Sequence, residues 1–334
     1  MSSRALVFFV PVIVIAIFWL MARQESKRGV DPTHKGFFER NGIVLGAVFI
    51  GLVAFWTLFL VALPYLYMVV ESFHPNLPPL KRGGPDDVVT IAQYKSFFIT
   101  PNSGLVNSTH LWAFFFSILA SVAVTALNFA ICYPLAYYMA QTGTPQKVRL
   151  LMLCLIVPYW VNEILRAFSL RLLLASKGLI NQVLVGSGII DTPIDFLGNN
   201  TGLYVGLSYA YLLVMMFPLY NAIESLDKNQ IEAARDLGAP WWRIHKDVVI
   251  PYAKPGIASG CTMVFMLSAG SLAAPQFLGG PRTLWFTAVI YDFFFQAFNW
   301  ARGAAYSFIL LAACIALVLA LLRLFKVSLG ETIR

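Results

Sequence analysis

Seven apolar stretches, each close to the length that crosses a lipid bilayer, constrain this chain more than any other feature. A membrane-spanning helix needs about 20 apolar residues, and backbone groups in lipid are satisfied only within helices or closed barrels. Charged residues make up only 12% of the 334-residue chain, against roughly a quarter in soluble domains. We therefore predict an all-α polytopic membrane protein. Its predicted spans are residues 5–21, 43–70, 111–140, 150–174, 202–222, 257–274 and 304–322.

The distribution of basic residues predicts the orientation of these spans. If the N-terminus is outside, the inside segments are 22–42, 141–149, 223–256 and 323–334, and they hold fifteen of the 24 Lys and Arg residues. Cytoplasmic loops of membrane proteins carry this excess. Residues 223–256 and the C-terminus are therefore predicted to be cytoplasmic. Because the basic residues are spread over several loops, we expect the lipid bilayer as a partner and no nucleic acid.

The first apolar stretch, residues 5–21, could be mistaken for a signal peptide. Only Arg4 precedes it as a basic residue, no small-residue cleavage site follows, and five basic residues lie immediately after it. These features favour a retained anchor over a cleaved signal. We predict that residues 1–42 form an extra N-terminal transmembrane helix with a basic cytoplasmic linker, and that residues 43–334 form the main transmembrane domain.

The polar segment 223–256 has the signals of two short helices joined by a sharp turn. Asp227 is suited to cap the N-terminus of a helix over residues 228–237, with Gln230 completing a capping box. Gly238 can take the positive φ that ends such a helix, and Pro240 suits the first turn of the next. The small side chains in the first helix would let a groove of another protein approach its backbone closely.

The same segment resembles the cytoplasmic EAA loop of permease subunits in binding-protein-dependent ABC importers. That pattern is Glu-Ala-Ala, three residues, Gly, nine residues, then aliphatic-x-aliphatic-Pro. In this chain Glu232 begins the pattern, Gly238 holds its glycine position, and Val248, Ile250 and Pro251 complete it. The resemblance implies that the segment couples the chain to an ATPase. The implied coupling residues are Glu232, Ala233, Ala234, Arg235, Asp236, Gly238 and Pro251.

Further motifs are similar to permeases of the spermidine/putrescine subfamily. They are Pro158-Tyr159-Trp160, Arg166, Gly178-Leu179-Ile180-Asn181, Pro218-Leu219-Tyr220, Pro255-Gly256-Ile257, Phe277-Leu278-Gly279-Gly280 and, more weakly, Trp300-Ala301-Arg302-Gly303-Ala304. This resemblance implies the transmembrane domain of a type I ABC importer, with a six-helix core from residue 43 and the 5–21 span as a seventh helix. It also implies a second homologous permease, two ATPase subunits, a periplasmic solute-binding protein and a polyamine substrate such as spermidine or putrescine.

The sequence predicts no catalytic centre of its own. It contains no G-x-x-x-x-G-K-[ST] phosphate-binding loop, so ATP hydrolysis must come from partner subunits, and the chain is not predicted to be an enzyme. All four cysteines fall within predicted spans without a CxxC spacing, and the four histidines are scattered, so we predict no disulfide, no metal site and no cofactor. These residues are Cys132, Cys154, Cys261, Cys314, His34, His74, His110 and His245.

Glu163 is the strongest candidate for contact with a transported solute. Counted from residue 150, it lies roughly 20 Å into a core about 30 Å thick, and an acid inside the membrane is a functional candidate by default. Arg166 lies at i+3, which is equally suited to a helical ion pair with Glu163, so both roles remain open. Subfamily members more often carry an aromatic residue at the Glu163 position. The other candidates for the substrate path are Tyr159, Trp160, Asn162, Tyr209, Tyr211 and Asp292.

Other functions remain compatible with the sequence. The permease could carry another small solute, such as an amino acid, an opine or a phosphonate. The chain could instead be an ion-coupled secondary transporter in which Glu163 binds the coupling ion, or a scaffold that transports nothing.

Overall fold

The computed structural model describes residues 43–78, 81, 84–85, 87–100, 104–280 and 283–326. Within these ranges the structure is helical apart from loops and one isolated antiparallel bridge between Ile99 and Val106. Six of the described helices are long and apolar enough to cross a membrane, which confirms the all-α membrane fold. The predicted extra helix at residues 5–21 and its linker lie outside the described residues.

The helices are, in chain order, α1 (Ile43–Trp56), α2 (Leu63–Ser72), α3 (Ala92–Phe98), α4 (Ser108–Tyr137), α5 (Pro145–Tyr159), α6 (Glu163–Leu174), α7 (Leu179–Gly186), α8 (Thr201–Glu224), α9 (Lys228–Asp236), α10 (Trp241–Ile244), α11 (Ile250–Gly270), α12 (Ala273–Leu278), α13 (Phe286–Phe295) and α14 (Trp300–Phe325). Three π-helical segments continue α1, α4 and α10 at their C-terminal ends. They are Thr57–Ala62, Tyr138–Thr142 and His245–Val249.

A proline lies close to each of these π-helical segments. Pro64 and Pro251 each follow such a segment by two residues, and Pro134 lies four residues before the third. Proline has no N–H to donate and its ring crowds the carbonyl of the preceding turn. A locally widened turn accommodates both effects. These prolines therefore accompany local widening of otherwise continuous helices.

The prediction of one uninterrupted span over residues 150–174 is wrong. The chain leaves the helical path after α5 and re-enters it at Glu163 as α6. Asn162 is the reason, because its side-chain Oδ1 accepts a hydrogen bond from the backbone N–H of Ile164 at 2.9 Å and so caps a new helix. Hydrophobicity is continuous across this point and does not reveal the break.

The predicted bounds of the span over residues 257–274 are also wrong at both ends. The helix begins at Trp241, runs through the π-helical segment, and ends at Gly270. Ser271 is extended, with φ −65° and ψ 136°, and α12 starts two residues later. A second interruption therefore falls within an apolar stretch.

The described chain divides after Val70 into two compact units. The core of the second unit forms where α4, α8 and α11 pack against one another. Gly256 on α11 permits this packing, because an added Cβ would stand only 2.5 Å from the carbonyl oxygen of Pro218 on α8. A smaller cluster of aromatic side chains joins α3, α11, α13 and α14 around Phe97, Phe265, Phe286 and Tyr306.

Candidate functional site

The segment between α8 and α11 forms the two short helices and the sharp turn that the sequence predicts. Asp227 caps α9 by accepting a hydrogen bond from the Asn229 N–H at 3.0 Å. Gly238 has φ +76°, and the next residue, Ala239, donates its N–H back to the Ala234 carbonyl at 3.1 Å. Pro240 is the residue immediately before α10 rather than within its first turn. The helix ends are therefore fixed by local contacts.

The α9 helix keeps one side chain in the protein core and presents most of the others to the outside. Ile231 is buried, whereas Glu232, Ala233, Arg235 and Asp236 are exposed and Ala234 is half-buried. Leu237, at the turn, is 89% exposed, and Trp241 and Trp242 beyond it are also exposed. Exposed apolar side chains grouped in this way, with charged groups around them, are typical of a protein interaction surface. We call α9, the turn and α10 the loop surface.

His245 connects the loop surface to α4. Its Nδ1 lies 2.7 Å from the Tyr133 hydroxyl, and its ring packs against Tyr137 and Trp241 with centroid distances of 4.4 and 4.3 Å. In the sequence, His245 stands out only as an isolated histidine. Its partner Tyr133 is 112 positions away along the chain, so no local pattern could have revealed the contact.

Three further hydrogen bonds hold the N-terminal side of the loop surface. The Gln141 side chain donates to the carbonyls of Ile223 and Leu226 at 2.8 and 3.3 Å, and the Tyr252 hydroxyl donates to the Ser225 carbonyl at 2.9 Å. The predicted Pro251 lies in the first turn of α11. The loop surface is therefore attached to α4, α8 and α11 together.

A polar cluster lies where the two helix interruptions meet. Glu163 is the first residue of α6, a position at which the helix dipole favours a negative charge. Its carboxylate accepts a hydrogen bond from the buried Tyr211 hydroxyl of α8 at 3.1 Å. The second interruption, at Ser271 directly after the end of α11, precedes α12, which packs against α6. Non-helical backbone at membrane depth is tolerated where it is buried in protein or lines a cavity.

Arg166 lies one turn along α6 from Glu163 but contacts aromatic rings. Its guanidinium carbon is 5.1 Å from the ring centroid of Tyr159 and 5.9 Å from that of Tyr209. The described residues contain no ion pair between Arg166 and Glu163, so the i+3 pairing left open by the sequence is not formed. A cavity of about 90 Å³ lies between Arg166, these two rings and Leu212.

The remaining candidates for the substrate path occupy different positions. Trp160, at the interruption between α5 and α6, is 81% exposed, and Asn162 uses its side chain as the helix cap. Asp292 borders a separate open cleft of about 470 Å³ beside His110. The structure therefore joins Glu163 to Tyr211, joins Arg166 to Tyr159 and Tyr209, and places Asp292 in a separate cleft.

Comparison with known proteins identifies the family of this chain. The family described as the binding-protein-dependent transport system inner membrane component matches residues 132–330. The spermidine/putrescine transport system permease protein PotB of Salmonella typhimurium strain SL1344 is 34% identical over 254 residues, which cover 75% of this chain and 84% of that protein. PotB of Escherichia coli K12 has the same identity over 254 residues, covering 75% of this chain and 87% of that protein.

A solved structure shows the same fold. The bacterial alginate ABC transporter in complex with an alginate pentasaccharide-bound periplasmic protein contains a chain with a TM-score of 0.62 and 15% identity, covering 87% of this chain and 98% of that one. The predicted fold class, the transmembrane domain of a type I ABC importer, is thereby confirmed.

The chain belongs to the family of binding-protein-dependent inner membrane transport components. It is a multi-pass inner membrane permease of an ABC importer and is not the ATPase of that importer. This membership favours the permease over the ion-coupled transporter and the non-transporting scaffold.

Proposed function

We propose that this chain is one of two homologous permeases that together form a translocation path for a polyamine such as spermidine or putrescine. A periplasmic binding protein delivers the solute, and two ATPase subunits on the cytoplasmic side supply the energy. One observation carries this proposal: the 34% identity, over three quarters of the chain, to permeases named for spermidine and putrescine transport.

The loop surface is the proposed contact with an ATPase subunit. Its exposed leucine and flanking tryptophans provide apolar contact area, and Glu232, Arg235 and Asp236 provide ion-pair partners. Ala233 and Ala234 keep α9 narrow enough for a groove, Asp227 and Gly238 fix its two ends, and Pro251 lies in the first turn of α11. The proposed cytoplasmic position follows from the excess of basic residues in segment 223–256.

Rigid attachment of the loop surface supports a mechanical role. Closure of the ATPase subunits on ATP would displace α9, and the displacement would reach α8 and α11 through the chain and α4 through His245 and Tyr133. Because these three helices form the packed core, they would turn together and open the path to the periplasm. Hydrolysis would return them to the inward-facing arrangement.

The polar cluster supports a cationic solute. Glu163 offers a negative charge, and the faces of Tyr159 and Tyr209 attract ammonium groups by cation–π contact. Both tyrosines keep about two fifths of their surface exposed, so their rings remain accessible. Amino acids, opines and phosphonates carry anionic groups, which the carboxylate of Glu163 would repel.

Reconstituted transport tests the function directly. The permease pair, the ATPase subunits and the cognate binding protein are placed in proteoliposomes, and ATP-driven uptake of labelled spermidine is measured. We expect competition by unlabelled putrescine and none by an amino acid, an opine or a phosphonate. The Glu232→Arg variant, which reverses a charge on the loop surface, is expected to assemble but to abolish uptake. Uptake of an anionic solute with no uptake of polyamine would refute the proposal.

A further inference from the structure

Arg166 is held in an arrangement that is normally used to bind a free cation. Its guanidinium lies within 6 Å of the ring centroids of both Tyr159 and Tyr209, the range in which an aromatic face attracts a cation. The two rings come from different helices, α5 and α8, and meet around the small cavity described above. The protein therefore already contains a two-tyrosine cation site, and its own arginine fills it.

The guanidinium group of Arg166 lacks a hydrogen bond at one of its nitrogens. Its Nε is buried without a hydrogen-bond partner, although charged groups within an apolar stretch are costly unless they are paired. An acid is available one helical turn away, yet the Glu163 carboxylate accepts the Tyr211 hydroxyl instead. The long arginine side chain thus has a second partner within reach on its own helix, at the i,i+3 spacing suited to ion pairs.

We propose that Arg166 is a resident cation that competes with the transported polyamine for the site between Tyr159 and Tyr209. In the empty permease the guanidinium occupies the two rings. When a solute ammonium group enters, Arg166 turns toward Glu163 and leaves the rings to the solute. When Arg166 returns to the two rings, it displaces the solute. The affinity of the path for the solute therefore stays low, which promotes release. This inference rests on the proposed polyamine function.

Direct binding to the permease complex, without the binding protein, tests this competition. The permease pair and ATPase subunits are held in nanodiscs, and equilibrium binding of labelled spermidine is measured for the wild type and for Arg166→Gln, Arg166→Lys and Arg171→Gln. Arg166→Gln should tighten spermidine binding by about tenfold, because one cation–π contact of the solute then forms without competition. Arg166→Lys keeps the charge and should bind as the wild type does.

Arg171→Gln is the matched control, because it removes one positive charge from the same helix. Arg171 is exposed and its guanidinium donates a hydrogen bond to the Phe277 carbonyl rather than contacting the two rings. The affinity of the Arg171→Gln complex for spermidine should stay within about twofold of the wild-type affinity. Adding Tyr209→Leu to Arg166→Gln should cancel the gain, since one of the two faces is then lost.

Three outcomes would overturn the proposal, and they separate its failure from failure of the proposed function. If the wild-type complex with its binding protein transports spermidine but Arg166→Gln binds it no more tightly, Arg166 is not a competing cation and the polyamine function stands. Weaker binding by Arg166→Gln would contradict the proposal in the same way. If the wild-type complex transports no polyamine, the proposed function fails and this inference fails with it. Equal recovery of assembled wild-type and variant complexes on gel filtration confirms that the variants fold.

Discussion

Replacement of Gly238 by valine isolates the mechanical role of the turn after α9. Gly238 has φ +76°, and a side chain costs about 1–2 kcal/mol in this region of backbone space, with a β-branched residue at the upper end. An added Cβ would meet nothing within 4 Å, so the strain would act only on the local backbone. The simplest relief breaks the Ala239 to Ala234 hydrogen bond and reorients Leu237.

We expect the variant to lose the coupling between ATP hydrolysis and transport while the complex still assembles. About 2 kcal/mol corresponds to a shift of roughly 30-fold in the population of the native turn. We therefore expect Gly238→Val to lower the number of polyamine molecules transported per ATP hydrolysed by about tenfold or more, in proteoliposomes that contain a normal amount of assembled complex. ATP hydrolysis itself should continue, because the ATPase subunits are unchanged.

Two controls separate backbone strain from side-chain bulk. Gly238→Asn should retain most coupling, because asparagine tolerates positive φ better than other non-glycine residues. Gly186→Val adds the same bulk at a glycine whose added Cβ would also meet nothing within 4 Å but whose φ is not positive, and it should transport normally. Normal coupling by Gly238→Val at normal assembly would refute the argument that a fixed turn transmits the displacement.

Three further predictions concern the attachment of the loop surface, the charge in the path and the core. Tyr133→Phe removes the hydroxyl that contacts His245, a bond worth about 1 kcal/mol, and should reduce transport per ATP about fivefold while leaving assembly intact, as measured by paired uptake and phosphate-release assays. Glu163→Gln keeps a hydrogen-bond acceptor but removes the negative charge, and should reduce spermidine uptake by about tenfold or more. Gly256→Ala places a Cβ against the Pro218 carbonyl and should destabilise the packed helices by about 1–3 kcal/mol, visible as a lower thermal unfolding temperature in detergent.

Two of these predictions have a control variant, and the third has an outcome that would contradict it. Tyr138→Phe alters an exposed tyrosine of the adjacent π-helical segment and should leave coupling unchanged. Unaltered uptake by Glu163→Gln would show that charge at this position does not attract the solute. Gly270→Ala lies on α11 in open space, and an equal loss of stability there would contradict the close-packing argument for Gly256.

Local sequence signals predict the loop surface well, because its geometry is fixed by local contacts. Asp227 caps α9 through a residue two positions away, and Gly238 ends it through its own backbone conformation. These preferences are properties of short peptides and do not require knowledge of the rest of the fold. The coupling role of these residues remains a prediction that the experiments above test.

The polar cluster could be predicted only in part. Glu163 and Tyr211 both stand out as candidates, but the hydrogen bond between them joins residues 48 positions apart and depends on how α6 packs against α8. Asn162 directly before an acidic residue is a signal for the start of a helix. The apolar stretch continues across this signal, however, and by itself predicts one uninterrupted helix. No sequence pattern predicts the contact between His245 and Tyr133, because neither residue is unusual in its own segment.

Contact between Leu237 and the ATPase subunit tests the central claim most directly. Cys154 is exposed and is first replaced by serine; Leu237→Cys and, separately, Ile189→Cys are then introduced into the assembled complex and treated with a bifunctional thiol cross-linker. Ile189 is a suitable comparison because it is 70% exposed and lies in the loop before α8, whereas the loop surface follows the C-terminal end of that 24-residue helix. We predict that Leu237→Cys cross-links to the ATPase subunit and that Ile189→Cys does not. Cross-linking of Ile189→Cys alone would contradict the assignment of the loop surface as the part of this permease that receives the force of ATP hydrolysis.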